Sequence, residues 1–159
     1  MKRVLSLMLS TIIAIIAITV PTQAALQDTS DIDISNFAIS GPGGYRIIEE
    51  SREKDNSSPM YLYIINSVYY ATRVKALGTN HKPTTESYCY NKTCNYNGTT
   101  WYDYVTCARG VDYSIHSKVY EAGFDYGTLG FLNYNNGTQV IISGEWSVDS
   151  WNTHVDAVP

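Results

Sequence analysis

Residues 111–120 read VDYSIHSKVY, and the order of apolar and polar side chains in this segment indicates the fold class. Its odd-numbered positions hold Val, Tyr, Ile, Ser and Val, whereas its even-numbered positions hold Asp, Ser, His, Lys and Tyr. Because successive side chains of a β-strand point to opposite faces, this two-residue period predicts a strand with one buried face. It is the clearest such period in the chain, and it sets the expectation for the segments on either side.

The composition around this stretch favours strands and turns throughout. The chain contains 14 Tyr and 11 Gly, together with many Thr and Asn residues. Tyr and Thr suit pleated, half-buried surfaces, while Asn and Gly suit turns. Turn signals at 41–44 (GPGG), Asn97-Gly98 and Asn136-Gly137 separate the apolar segments. We therefore predict an all-β antiparallel β-sandwich of seven or eight short strands, with a small closed β-barrel as the alternative.

Asn136-Gly137 makes a more specific prediction about strand pairing. Asn-Gly is the preferred pair in a two-residue type I′ turn, because both of its central residues need positive φ. The segments Tyr126–Tyr134 and Thr138–Trp146 on either side have strand character. The sequence therefore predicts that these two strands form a hairpin.

The first 24 residues have the three parts of a secretory signal peptide. Lys2 and Arg3 supply positive charge, an apolar run extends from Val4 to Val20, and small residues precede a cleavage position between Ala24 and Ala25. A membrane anchor that is not cleaved is the alternative. We expect a helical signal peptide over 1–24. An N-terminal arm with a first strand over 25–44, the β-sandwich domain over 45–151 and a C-terminal tail over 152–159 should follow.

The negative net charge of the chain disfavours some classes of binding partner. Removal of Lys2 and Arg3 would change the formal net charge from −4 to −6. Nucleic acids and anionic lipids require concentrated positive charge, so neither is an expected partner. No long apolar segment follows the signal peptide. We therefore expect a secreted, extracellular protein without stable membrane insertion after cleavage.

Three cysteines, Cys89, Cys94 and Cys107, lie in the exported part. An oxidising compartment permits a disulfide, and three cysteines allow one bond within the chain. Cys89–Cys94 is favoured, and Cys107 is the alternative partner. The same thiols with His81 or His116 would make a Cys3His metal set, but their spacing is not that of a known zinc module. The prediction is no metal and no cofactor.

Candidate catalytic groups are present without a convincing arrangement. One face of the strand predicted over 111–120 carries Asp112, Ser114 and His116. Side chains two residues apart on a strand lie about 6–7 Å apart, which is too far for a proton relay. A Cys107–His116 pair and the acidic cluster at 49–53 are weaker candidates. We predict a non-enzymatic protein with no catalytic residues, and keep a small hydrolase using Glu49, Asp112 or His116 as an alternative.

The aromatic residues are the feature of the sequence that most favours a binding function. Trp101 and Tyr102 are adjacent, so on a strand they point to opposite faces and cannot both be core residues. Exposed aromatic rings can stack on sugars or anchor a protein partner, whereas cross-strand Tyr pairs would be purely structural. We expect an envelope, glycan or protein partner to bind through five aromatic residues: Trp101, Tyr102, Tyr104, Trp146 and Trp151.

Several short motifs resemble those of an uncharacterised family of small secreted proteins from Gram-positive bacteria, known only as a domain of unknown function. These motifs are SPMY at 58–61, RVKALG at 73–78, YSI at 113–115 with VYEAG at 119–123, and SGEWSVDS at 143–150. The resemblance implies no activity and no site residues. In size, export and β character the chain is also similar to lactococcin-type β-sandwich bacteriocins, which implies a secreted antagonist as the alternative function.

Overall fold

A computed structural model describes residues 30–134, 139–150 and 154–159. These residues contain eleven strands and one short 3-10 helix, Glu86–Tyr88, but no α-helix. The signal peptide, its cleavage position at Ala24 and Ala25, and Trp151 all lie outside the described residues. The strands are β1 (Ile32–Ile39), β2 (Tyr45–Ile47), β3 (Arg52–Glu53), β4 (Met60–Ser67), β5 (Ala71–Thr79), β6 (Tyr90–Asn91), β7 (Val105–Ala108), β8 (Asp112–Ile115), β9 (Tyr126–Leu132), β10 (Val140–Ser147) and β11 (Val155–Asp156).

The strands form two sheets, which confirms the predicted all-β sandwich over the closed barrel. Sheet A has the order β1-β10-β4-β8-β11. Sheet B has the order β2-β9-β5-β6, with β3 also paired to β9 and β7 also paired to β5. Neighbours are antiparallel except for β8 and β11, which pair in parallel. The strand number exceeds the expected seven or eight because β3, β6 and β11 are two residues long, too short to leave a periodic signal.

The core lies between the sheets and is built from alternate residues of their long strands. On β5, Val74 and Ala76 are buried, whereas Arg73 and Lys75, which alternate with them, are partly exposed. On β10 the even-numbered positions are the most deeply buried, and Trp146 at one of them has no exposed surface. Phe131 of β9 and Phe37 of β1 bring sheets B and A together, with ring centroids 5.4 Å apart.

Residues 111–120 form a shorter strand than their two-residue period indicates. Only residues 112–115 belong to β8, yet Ile115, Ser117 and Val119 are all buried, so the predicted alternation continues beyond the strand. Ser117 pairs with Thr93 in an isolated bridge. Ser114 departs from the pattern because it is buried although its position places it on the opposite face. Its backbone carbonyl accepts a hydrogen bond from Ala157 N–H.

Local turn chemistry is as predicted at two places. Gly44 N–H donates to the Gly41 carbonyl at 2.8 Å, and Gly43 has φ +76°, a conformation that glycine adopts without steric cost. Gly98 closes the second turn by donating to the Asn95 carbonyl at 2.8 Å. Both turns depend on residues within four positions of each other.

The predicted hairpin at Asn136-Gly137 is wrong. Its two strands, β9 and β10, lie in different sheets and do not pair with each other. The turn residues lie outside the described part of the chain, but the flanking strands show that this connection crosses between the sheets. β1 and β11, which lie on either side of residues 45–151, also belong to sheet A.

Candidate functional site

One edge of the sandwich carries a continuous group of aromatic rings joined by a lysine. We define the aromatic edge as Tyr90, Lys92, Trp101 and Phe124. Tyr90 stacks on Phe124 with centroids 5.4 Å apart and an interplanar angle of 25°. Lys92 Nζ lies 5.3 Å from the Phe124 ring centroid and 5.8 Å from that of Trp101, within reach of a cation–π interaction with each. Trp101 and Tyr90 remain 57% and 58% exposed.

Backbone pairing explains why these residues meet. Tyr90 pairs with Gly78 of β5, and a Cβ on Gly78 would collide with the Phe124 ring. The absence of a side chain at Gly78 therefore leaves room for Phe124 to lie against the sheet beneath Tyr90. Trp101 is held by a bridge to Cys94, whose N–H donates to the His116 carbonyl at 3.0 Å.

The His116 side of this bridge adds another exposed ring. Tyr96 packs edge-on against the His116 ring, with centroids 5.2 Å apart, and is 75% exposed. His116 Nε2 lies 2.7 Å from Asp156 Oδ1, so the partner of His116 comes from β11. Backbone pairing through Cys94 thus brings the segment that carries Tyr96 and His116 next to the segment that carries Trp101.

An open cleft adjoins the other end of the aromatic edge and shares Phe124 with it. The cleft has a volume of about 380 Å³. Its lining combines aromatic rings with carboxylates: Glu53, Lys54, Asp55, Tyr120, Gly123, Phe124, Asp125 and Tyr126. Carboxylates accept hydrogen bonds from hydroxyl groups, and flat rings offer apolar faces. The cleft and the aromatic edge together suit a ligand with both apolar faces and hydroxyl groups.

The structure separates four of the five aromatic residues that the sequence analysis grouped, and the fifth, Trp151, lies outside the described residues. Trp101 is exposed as expected, and Tyr102 is partly buried against the core. Tyr104 covers Arg73, whose guanidinium carbon lies 4.0 Å from the Tyr104 centroid and 4.3 Å from that of Tyr134. The assignment of Trp146 to a binding surface is wrong, because β10 directs this side chain into the core.

The three cysteines are free, so the structure does not contain the predicted Cys89–Cys94 disulfide. Tyr90 pairs with Gly78, Lys92 N–H donates to the Ala76 carbonyl, and Cys94 N–H bonds to His116, so the chain runs extended between the two cysteines. Five extended residues cover roughly 16 Å, more than the roughly 7 Å beyond which two Cα atoms cannot be bridged. Cys107, the alternative partner, is buried in the core.

The candidate catalytic groups have other partners. Asp112 Oδ1 accepts a hydrogen bond from Tyr61 Oη at 2.8 Å, and His116 contacts Asp156 rather than Ser114. Burial, and then the bond to Asp112, raise the pKa of Tyr61, so Tyr61 stays a donor in this pair. Cys107 lies in the core and His116 on the outer surface. In the part of the chain that the structure describes, no three His, Cys, Asp or Glu side chains are placed to share a metal ion.

Sequence reasoning missed three residues of this surface, namely Lys92, Phe124 and Asp156. Lys92 and Phe124 carry no motif, and only the pairing of residues 90–94 with β5 and residues 116–118 brings them together. Asp156 lies in the segment expected to be a tail. A two-residue strand gives no periodic signal that could have revealed it.

Comparison with known proteins identifies a family but no activity. The family described as protein of unknown function (DUF2712) matches residues 21–150. No curated protein and no solved structure matches the chain. Within the described ranges, no helix is long and apolar enough to cross a membrane. Since the match covers most of the chain, this protein belongs to the DUF2712 family of proteins of unknown function.

Proposed function

We propose that this is an exported, non-enzymatic binding protein that holds a neutral glycan of the Gram-positive cell envelope on its aromatic edge. The observation that supports this proposal is the exposure of Trp101 and Tyr90 in one connected group beside a cleft lined by carboxylates, with the exposed Tyr96 on the segment that pairs next to Trp101. Contiguous exposed apolar surface on a soluble protein often marks an interaction site.

The chemistry of the surface favours a neutral glycan over other envelope polymers. Sugar rings present apolar faces to aromatic side chains and hydroxyl groups to acceptors such as Asp55 and Asp125. Anionic polymers would be repelled by these carboxylates and by the net charge of −6 expected after signal cleavage. Lys92 is positioned over two rings, which orients them rather than creating a basic patch.

Export is part of the proposal and has its own support in residues 1–24. A cationic start, an apolar run and small residues at Thr22 and Ala24, just before the expected cleavage between Ala24 and Ala25, are the features that a signal peptidase reads. Mass measurement of the protein from culture medium should show that the mature chain begins at Ala25. A secreted protein that retains Met1 would contradict the proposed cleavage.

The binding experiment measures co-sedimentation of the purified protein with Gram-positive peptidoglycan from which the anionic teichoic acids have been removed. Loss of a central exposed tryptophan should weaken binding at least about tenfold, as is typical of an interface hot spot. We therefore expect Trp101→Ala to abolish most of the retention. Since Trp101 lies outside the core, the variant should unfold at nearly the same denaturant concentration as the wild type.

Tyr70→Ala is the matched control. Tyr70 is 73% exposed and precedes β5 at the end opposite to Gly78, about 25 Å away at roughly 3.3 Å per residue. This variant should bind as the wild type does. Equal retention of the wild type and Trp101→Ala would overturn the proposed surface, and killing of related bacteria by the purified protein would favour the antagonist instead.

A further inference from the structure

A lysine and an aspartate meet in the interior of the sandwich, where charged side chains are rare. Lys54 directly follows β3 of sheet B, and Asp149 lies two residues beyond β10 of sheet A. Lys54 Nζ contacts Asp149 Oδ1, and the two side chains are 1% and 0% exposed. The contact therefore joins the two sheets through side chains that are 95 residues apart in the sequence.

Ser58 contacts both members of the pair. Its carbonyl accepts a hydrogen bond from Lys54 Nζ at 2.6 Å, and its hydroxyl donates to Asp149 Oδ1 at 2.9 Å. The second carboxylate oxygen, Oδ2, is buried and has no hydrogen-bond partner among the described residues. One oxygen of Asp149 is thus fixed in place, while the other makes no stabilising contact there.

The surroundings disfavour the charged form of Lys54. A Cβ on Gly127 would lie against Met60, Val148 and the Lys54 side chain, so the lysine stem runs through an apolar part of the core. Burial lowers the pKa of Lys54, and Asp149 only partly opposes this effect. Removing two charges from water is costly, and a neutral amine beside a neutral carboxylic acid avoids that cost.

We propose that Lys54 and Asp149 react to form an intramolecular isopeptide bond that ties sheet B to sheet A. Proton transfer from the ammonium to the carboxylate gives the neutral amine and the carboxylic acid. The Nζ lone pair then attacks Cγ of Asp149, which forms a C–N bond. Nitrogen loses a proton, the C–Oδ2 bond breaks, and the departing oxygen takes up this proton and the carboxylic acid proton to leave as water, while Oδ1 becomes the amide oxygen. The reaction is a condensation with the loss of one water and needs no oxidant.

The contacts of Ser58 fit the product as well as the reactants. An amide at this position has one N–H, which the Ser58 carbonyl is placed to accept, and one oxygen, which the Ser58 hydroxyl is placed to bond. The departing oxygen is Oδ2, the one without a partner in the described part of the chain. Holding the groups in contact supplies the large effective concentration typical of intramolecular reactions.

The intact mass of the purified, folded wild-type protein tests the bond directly, after reduction so that any disulfide is open. We expect a mass lower than that of the unmodified chain by one water. Proteolysis should release a branched peptide that joins the segment containing Lys54 to the segment containing Asp149. Lys54→Arg keeps the positive charge but cannot form this bond, and it should have the full mass.

Lys75→Arg is the matched control, because Lys75 Nζ also lies 2.8 Å from a carboxylate, Asp103 Oδ1, but at a site where the carboxylate is 74% exposed. This variant should retain the mass deficit of the wild type. A folded wild-type protein of full mass would overturn the proposal, as would a water loss that peptide mapping places elsewhere. The wild-type measurement stands even if Lys54→Arg does not fold.

Discussion

At the scale of single residues, Trp101 and Trp146 show that the position of a residue in a strand determines whether its side chain is buried or exposed. Trp146 lies on β10, where it pairs with Ile32 and Leu62 in register, and its ring fills the core. Trp101 makes only an isolated bridge and stays exposed. The sequence analysis grouped Trp146 with the binding aromatic residues, but the alternation from Val140 to Val148 along β10 is a signal that places it inside.

The cysteines give a prediction at the same scale. Burial raises the pKa of Cys107 far above the ordinary thiol range, and it also raises the pKa values of Cys89 and Cys94. Because the thiolate is the reacting species, a raised pKa lowers its fraction at neutral pH. At pH 8 we expect iodoacetamide to modify the partly exposed Cys89 first, and Cys94 and Cys107 only after unfolding, as measured by peptide mass spectrometry without reductant.

The rate at which iodoacetamide modifies Cys89 should depend on pH in a definite direction. Modification of Cys89 should accelerate as the pH rises beyond the range in which an ordinary thiol ionises, because its folded pKa is raised. The unfolded chain, with ordinary pKa values, is the control. If both Cys89 and Cys94 stayed unmodified until a reductant was added, the native protein would contain the disulfide that the structure lacks.

At the scale of elements, the connection after β9 shows the limit of local turn chemistry. Asn136-Gly137 is typical of a hairpin, yet β9 already pairs with β5 on one side and with β2 and β3 on the other. β10 in turn pairs with β1 and β4. Each strand therefore has both edges occupied by long-range partners, and these ladders outweigh the preference of two turn residues.

The bulge in sheet A provides an element-scale prediction. Gly144 of β10 pairs with Ile34 on one side and Ile64 on the other, beside a register shift. A Cβ on Gly144 would collide with the Tyr63 carbonyl oxygen, a backbone atom that cannot rotate away. Overpacking of this kind costs about 1–3 kcal/mol, so Gly144→Ala should lower the free energy of unfolding by that amount in urea titrations.

Gly43→Ala is the comparison for this substitution. Gly43 has φ +76° with no atom within 4 Å of an added Cβ, so its only cost is the left-handed backbone, about 1 kcal/mol. Gly144→Ala should therefore be the more destabilising of the two. The opposite order would mean that β4 and β10 can shift apart at the bulge.

At the scale of the whole molecule, residues 154–159 connect the two sheets. β11 pairs with β8 of sheet A, while Val158 bridges Thr106, which belongs to β7 of sheet B. Thr106 N–H donates to the Val158 carbonyl at 2.7 Å, and Ala157 is buried between these contacts. The six residues 154–159 thus contact both sheets, and His116 obtains its Asp156 partner from the same segment.

Deletion of residues 154–159 tests this role. The truncated chain loses the parallel pairing, the bridge to Thr106 and the burial of Ala157. We expect a loss of about 2 kcal/mol, with the Tm lowered by roughly 4 °C for each kcal/mol in a domain of this size. Calorimetry provides the measurement, and deletion of the exposed Pro159 alone is the control. An unchanged Tm for the longer deletion would show that the segment is dispensable.

The sequence by itself determined the all-β class, the alternation in 111–120 and the turns at 41–44 and Asn97-Gly98, because strand period and turn chemistry act between residues a few positions apart. Only the tertiary structure decided which sheet each strand joins, which aromatic rings are exposed and that Lys54 meets Asp149. Those outcomes depend on contacts between residues as far as 95 positions apart. Such contacts form because the two sheets must bury their apolar faces together, and no short stretch of the chain encodes that requirement alone.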